Sequence, residues 1–179
     1  HLPAGPATLA LEALEQEPRL AAFVVPVGDS ALIRGVSAAV RGLRPEARIV
    51  GVQAEGAPAY ALSWRKGEAT PTEAADTLAD GLATRTPVEA NVAALRRRVD
   101  DMLLVSVRQM LAAVRWLAEE EGSTAEPAGA AGVAAILARA DGDPAVPGEG
   151  PVCVPITGGN VTDELFETAL RPRPGEPPE

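Results

Sequence analysis

The chain has 179 residues, of which 46% are hydrophobic and 3% aromatic, with Ala and Val supplying much of the apolar content. That is enough for one domain with a real core, packed by close backbone approach rather than by large rings. A net charge of −9 and a pI near 4.7 count against sequence-independent binding to nucleic acid, because phosphate contacts need clustered Lys and Arg.

In chain order, Leu9, Leu11 and Leu14 mark a short amphipathic helix over 8–17, stopped by Pro18. A strand is predicted over 22–27. Leu32, Ile33, Val36, Ala39, Val40 and Leu43 then recur at helical spacing from Ser30 onward. Residues 48–53 read as a second strand, apolar at Ile49, Val50 and Val52, and 54–71 as a connector with a short helix over 60–65. Pro87 is expected in the first turn of a helix over 88–98, with Arg96, Arg97 and Arg98 on its wet side, and 102–105 as the third strand.

Ser106 and Gln109 fit a capping box for the next helix, whose buried stripe is Met110, Leu111, Val114 and Leu117 and whose end is Gly122. An Ala-rich helix over 127–140, a Pro/Gly loop over 141–151, a last strand over 152–156 and a final helix over 162–170 follow. Residues 171–179, with four prolines, read as a disordered tail, so the ordered domain is 1–170. Strands that alternate with helices and are apolar on both faces predict an α/β fold: a mostly parallel sheet of about four strands with helices on both faces.

Cys153, the single cysteine, permits no intramolecular disulfide and lies in an apolar run, where a packing residue is expected rather than a nucleophile. No apolar run approaches the roughly 18 residues of a membrane span, and no charged-then-apolar leader opens the chain. A soluble, cytoplasmic protein is expected. The start at His1 suggests a processed or truncated product.

Two strand ends carry the chemistry. One is Val24-Val25-Pro26-Val27-Gly28-Asp29-Ser30-Ala31-Leu32; the other is Val154-Pro155-Ile156-Thr157-Gly158-Gly159-Asn160. In a parallel sheet, ligands bind beyond the carboxyl ends of the strands, so the two loops suggest one site. The loop at 28–32 enters a helix whose first amides are unpaired, which suits a phosphate, and Ser30 could add a hydroxyl. Asp29 would repel that anion unless its side chain turns outward or caps the helix. A plain capped turn remains an equal reading of this segment.

The order of the Val-Pro-Val-Gly loop, Arg48–Pro58, Ala79-Asp80-Gly81-Leu82-Ala83, Glu126-Pro127-Ala128-Gly129-Ala130-Ala131-Gly132 and Thr157-Gly158-Gly159-Asn160 resembles the carboxyl-terminal half of threonine/serine dehydratases. These are pyridoxal-phosphate enzymes of the tryptophan-synthase-β fold type (fold type II), and the resemblance runs from about Gly5 to Leu170. It implies that the chain is part of their large domain and that the cofactor is pyridoxal 5'-phosphate. Gly28, Asp29, Ser30, Ala31 and Leu32 would wrap the cofactor phosphate, although of the family's glycines only the first is kept. Thr157, in place of the more usual serine, would hydrogen-bond the pyridine nitrogen. Gly81 would lie near the ring and Glu126 would line the pocket, unless Glu126 only caps the Ala-rich helix.

Some relatives hold a divalent cation through acids that would align with Gln53 and Ala59. Both acids are missing, so no metal is expected there.

The resemblance further implies β-elimination of a small hydroxy amino acid to a 2-keto acid and ammonia. The Schiff-base lysine of the family belongs to the amino-terminal half, which this chain lacks. Lys66, its single lysine, sits in a polar connector and is expected to be solvated. Alone, the chain should be catalytically inert. It would act with a complementary amino-terminal half or partner chain, as a homo-oligomer when complete. A non-catalytic relic or regulatory subunit of the same fold, or an unrelated α/β module holding a mononucleotide at 28–32, are the alternatives.

Overall fold

The computed structural model describes residues 3–138 and 149–171. Four parallel strands, β1 (Ala22–Pro26), β2 (Arg48–Ala54), β3 (Asp101–Val105) and β4 (Val152–Cys153), form one sheet in the order β3-β2-β1-β4. Phe23 pairs with Ile49 and Val24 with Val50, and Val52 pairs with Leu103 on the far side of β2. Alternate residues therefore face opposite sides, as the two-residue period of a strand requires. Phe23, Val25, Ile49 and Met102 enter one core layer, whereas Val24, Val50, Val52, Leu103 and Val105 enter the other.

Helices cover both layers, which is why the strands carry almost no polar side chain. The first layer is closed by α1 (Ala4–Gln16), α2 (Ala31–Leu43), α3 (Ala59–Lys66) and α4 (Glu89–Arg98). The second is closed by α5 (Val107–Glu120), α6 (Pro127–Leu137) and α7 (Asp163–Leu170). Small residues let α6 lie close on the sheet: a Cβ added at Gly132 would stand 2.7 Å from Val154 and 3.0 Å from the Val24 carbonyl oxygen. The predicted fold class is the observed one.

The path of the chain fixes where a ligand can sit. From β1 it steps to β2 and then to β3 in one direction, with α2, α3 and α4 crossing one face. It then returns over the other face through α5 and α6 and lands on the opposite side of β1, as β4. The strand order thus reverses between β1 and β4, and such a reversal opens a crevice at the carboxyl ends of the two strands.

Several boundaries differ from those predicted. The first helix begins at Ala4 rather than at residue 8, because Pro6 falls in its first turn, where a missing N–H costs nothing. Pro87 lies just before Val88, the extended N-cap of α4, and so stands outside the helix it was expected to open. β4 pairs only through Val152 and Cys153 instead of running to residue 156, since Pro155 has no N–H to give a ladder. A short 3₁₀ turn at Asp80–Leu82 carries no periodic signal and was not anticipated.

The Ser106/Gln109 capping box is formed, with the Ser106 hydroxyl accepting from the Gln109 amide and Gln109 Oε1 from the Ser106 amide. Gly122 follows α5 at φ +58°. The expected last residues of the Ala-rich helix, most of the 141–151 loop and all but the first residue of the tail lie outside the described residues.

Candidate ligand pocket

Gly28, Asp29, Ser30, Ala31 and Leu32 follow β1; Thr157 follows β4; Gly81 is the centre of the 3₁₀ turn; Glu126 is the residue before α6. These eight positions are distant in sequence, yet all of them line one open cavity of about 400 Å³ at the β1/β4 crevice. Pro6, Pro26, Leu82 and Ala128 complete the lining. Pro26, Leu82 and Ala128 lie in the segments singled out from the sequence but were not named as lining residues, and Pro6 carried no signal, because only the packing of α1 on the crevice brings it there.

The cavity walls depend on backbone surfaces that approach without side chains between them. A Cβ added at Gly28 would fall on the carbonyl oxygen of Gly81 and stand 3.3 Å from its carbon. One added at Gly158 would stand 2.6 Å from the carboxyl carbon of Glu126, whose own amide donates to the Gly158 carbonyl at 2.9 Å. Glu126 makes no capping hydrogen bond to α6. Of its two sequence readings, the geometry supports the pocket: its Oε1 lies 3.8 Å from where a Gly81 Cβ would be.

The floor is the entry to α2, where the first-turn amides have no intrahelical acceptor. Ser30 occupies the N-cap in the left-handed region, at φ +80°, the only non-glycine residue with positive φ among the described residues. Its side chain is buried, with 2% of the residue exposed, and its Oγ has no hydrogen-bond partner. A buried hydroxyl with nothing to bind is costly, and a ligand acceptor in the cavity would satisfy it. Asp29 is an exposed residue whose side chain folds back on its own loop. Its Oδ1 accepts from the Ala31 amide at 2.9 Å, so it supplies the cap that Ser30 does not.

The loop is also held from behind. Asn91 on α4 donates from Nδ2 to the Asp29 carbonyl at 3.4 Å and to the Tyr60 hydroxyl at 3.1 Å, and that hydroxyl also accepts from the Val88 amide at 3.3 Å. Tyr60 is fully buried on α3. No Lys, Arg or His lines the cavity among the described residues, and its two ionisable groups are the carboxyls of Asp29 and Glu126.

Lys66 ends α3, is 60% exposed and is ion-paired at 2.6 Å with Glu68, whose carboxyl is held below its usual range by that ammonium. It does not line the cavity. Gln53, where a cation ligand would otherwise align, is buried, and its Oε1 accepts from the Ala61 amide at 2.7 Å, bracing α3 on β2. No group of three or more His, Cys, Asp or Glu able to hold a metal occurs among the described residues. Cys153 lies on β4 away from this cavity, and burial pushes its thiol pKa up.

A parallel α/β sheet with a crevice at its switch point, floored by a helix N-terminus and walled by glycines, is an arrangement suited to a compact, anion-bearing ligand. Comparison with known proteins makes this specific. Residues 1–158 match the model of the pyridoxal-phosphate dependent enzyme family, and the chain belongs to that family.

Over 95% of its length the chain is 39% identical to the L-threonine ammonia-lyase of Thermotoga maritima, covering 41% of that protein. Among solved structures, a threonine deaminase from T.th. superposes with a TM-score of 0.81 at 33% identity, over 89% of this chain and 58% of that one. Maize serine racemase superposes with a TM-score of 0.85 at 29% identity, over 93% and 50%. The fold is that of the large domain of these fold-type-II enzymes, and membership excludes an unrelated mononucleotide module. The chain spans about two fifths of the length of the Thermotoga maritima relative. No helix among the described residues is long and apolar enough to cross a membrane.

Proposed function

We propose that residues 1–170 are the carboxyl-terminal half of the cofactor domain of an ammonia-lyase that converts a small hydroxy amino acid, such as serine or threonine, to a 2-keto acid and ammonia. The observation that carries this reading is the gathering of Gly28, Asp29, Ser30, Ala31, Leu32, Gly81, Glu126 and Thr157 around one cavity at the switch point, in a family of pyridoxal-phosphate enzymes. The residues present fit that cofactor: the unpartnered Ser30 hydroxyl and the α2 amides suit a phosphate, and the side-chain-free approach of Gly28 to Gly81 leaves room for a flat ring.

Pyridoxal phosphate bound here would supply an electron sink for the charge that develops at the substrate Cα. The chain's own residues bind and orient it. Ser30 Oγ and the first amides of α2 would hold the phosphate. The Thr157 hydroxyl would serve as a neutral partner for the ring nitrogen, and such a partner would moderate electron withdrawal, a balance suited to β-elimination. Pro26, Leu82 and Ala128 supply apolar wall. Gly81 keeps the ring face clear, and Glu126 lines the pocket between Gly81 and Gly158.

On this reading the lysine that would link the cofactor and move the Cα proton belongs to the complementary half, because Lys66 is solvated, ion-paired and away from the cavity. The partners on this reading are that complementary half, the amino acid substrate and a further copy of the complete enzyme, in the reducing cytoplasm suggested by the lone Cys153.

The test is an assay of the intact protein with L-serine and L-threonine, measuring keto acid and ammonia with and without added pyridoxal phosphate. Stoichiometric release of both, dependent on the cofactor and lowered about tenfold or more by Thr157→Ala, is expected. Cofactor binding with no keto acid from either substrate would make the protein a non-catalytic relative. Inversion of serine without ammonia would make it a racemase.

A further inference from the structure

The Ala31 amide has two claimants. It opens the helix that floors the pocket, and it is already taken by the Asp29 carboxylate at 2.9 Å. That carboxylate lines the same cavity as the unpartnered hydroxyl of Ser30, with no cation in the lining to offset it. An anion arriving at Ser30 and the α2 amides therefore meets a negative charge that is itself the acceptor for one of the amides it needs.

We propose that Asp29 is a built-in competitor for the phosphate: its carboxylate and a cofactor phosphate oxygen vie for the Ala31 amide, so that Asp29 weakens the binding of pyridoxal phosphate and narrows its advantage over unphosphorylated pyridoxal. The inference rests on the cofactor reading given above. It assigns Asp29 an affinity-setting role opposite to that of Ser30, one residue away. The loop keeps a second tie when the Asp29 side chain is removed, because Asn91 donates to the Asp29 carbonyl from α4 and is held in turn by buried Tyr60. Removing the carboxylate thus clears the amide without releasing the loop.

The test is equilibrium dialysis of the intact protein against pyridoxal phosphate and, separately, pyridoxal, for the wild type, Asp29→Ala, Asp29→Asn and Ser30→Ala. Asp29→Ala is expected to tighten pyridoxal phosphate about tenfold, the scale of losing one like charge at a partly solvated site, with pyridoxal changed less than about twofold. Asp29→Asn removes the charge and keeps an oxygen that can still cap Ala31; it is expected to retain part of the gain, and it serves if the alanine variant fails to fold. Ser30→Ala is expected to weaken pyridoxal phosphate and not pyridoxal.

Unchanged or weaker pyridoxal phosphate binding in both Asp29 variants, with wild-type binding intact, overturns this inference alone. Equal gains for both ligands also overturn it, since competition at the phosphate must not touch a ligand that lacks one. Failure of every protein to bind either ligand overturns the cofactor reading and this inference with it.

Discussion

Gly28→Ala probes the tightest backbone approach in the pocket. The added methyl would fall on the Gly81 carbonyl oxygen and within 3.3 Å of its carbon, and neither atom can swing aside as the end of a long side chain can. Overpacking typically costs about 1–3 kcal/mol, and an obstacle made of backbone puts this substitution at about 3 kcal/mol. For a chain of this length each kcal/mol moves the melting temperature by about 2–4 °C, so a fall of about 6–12 °C is expected in far-UV circular dichroism melts. The same displacement pushes the 3₁₀ turn, and Gly81 with it, off the cavity wall, so pyridoxal phosphate binding is expected to weaken in parallel.

Gly42→Ala is the control. It lies within α2 with no atom within 4 Å of the added methyl, and it is expected to stabilise by about 0.5–1 kcal/mol through helix propensity alone. A Gly28→Ala protein that melts within about 2 °C of the wild type and binds the cofactor as well would refute the claim that backbone contact between the β1 loop and the 3₁₀ turn shapes the site.

Ser30→Gly removes both a left-handed non-glycine conformation and a buried orphan hydroxyl; chemical denaturation is expected to show a gain of about 1 kcal/mol, and a loss would show that the hydroxyl is satisfied. Arg41 bridges α2 to the amino ends of the strands, donating to the carbonyls of Pro45, Ala47 and Arg98 and to Asp100. Arg41→Ala is expected to cost about 2 kcal/mol, discounted for the partial exposure of the pair, while leaving cofactor affinity unchanged because the bridge lies at the opposite end of the sheet from the pocket.

Burial raises the Cys153 thiol above its ordinary pKa, so alkylation by iodoacetamide should rise only at a higher pH than for a free thiol. With the folded value above the unfolded one, this group's contribution is full below the unfolded pKa and is lost as pH rises through the folded value. Rapid labelling at neutral pH would contradict the shift.

Strand-helix alternation made the sheet legible because each strand is apolar on both faces, and the Ser106/Gln109 box fixed the start of α5 to the residue. The pocket was legible because its loops carry small residues at strand ends, where ligands of parallel sheets sit. What was not legible depends on contacts between segments distant in sequence. Pro155 cuts β4 short only because that strand's pairing on β1 is needed to see which amides matter. The capping role of the Asp29 carboxylate was one of two options until its hydrogen bond to Ala31 chose it. Glu126 carries the same local signature whether it caps α6 or lines a cavity, and only the position of Gly158 and Gly81 around it distinguishes the two. Pro6 and Ala128 reach the pocket through the packing of whole helices.

A crystal structure of the intact protein soaked in pyridoxal phosphate tests the central claim most directly. The expected result is the phosphate against Ser30 Oγ and the first amides of α2, with the pyridine nitrogen facing the Thr157 hydroxyl between Gly81 and Glu126. Cofactor density bound elsewhere, or turned so that the phosphate meets Thr157, would contradict it.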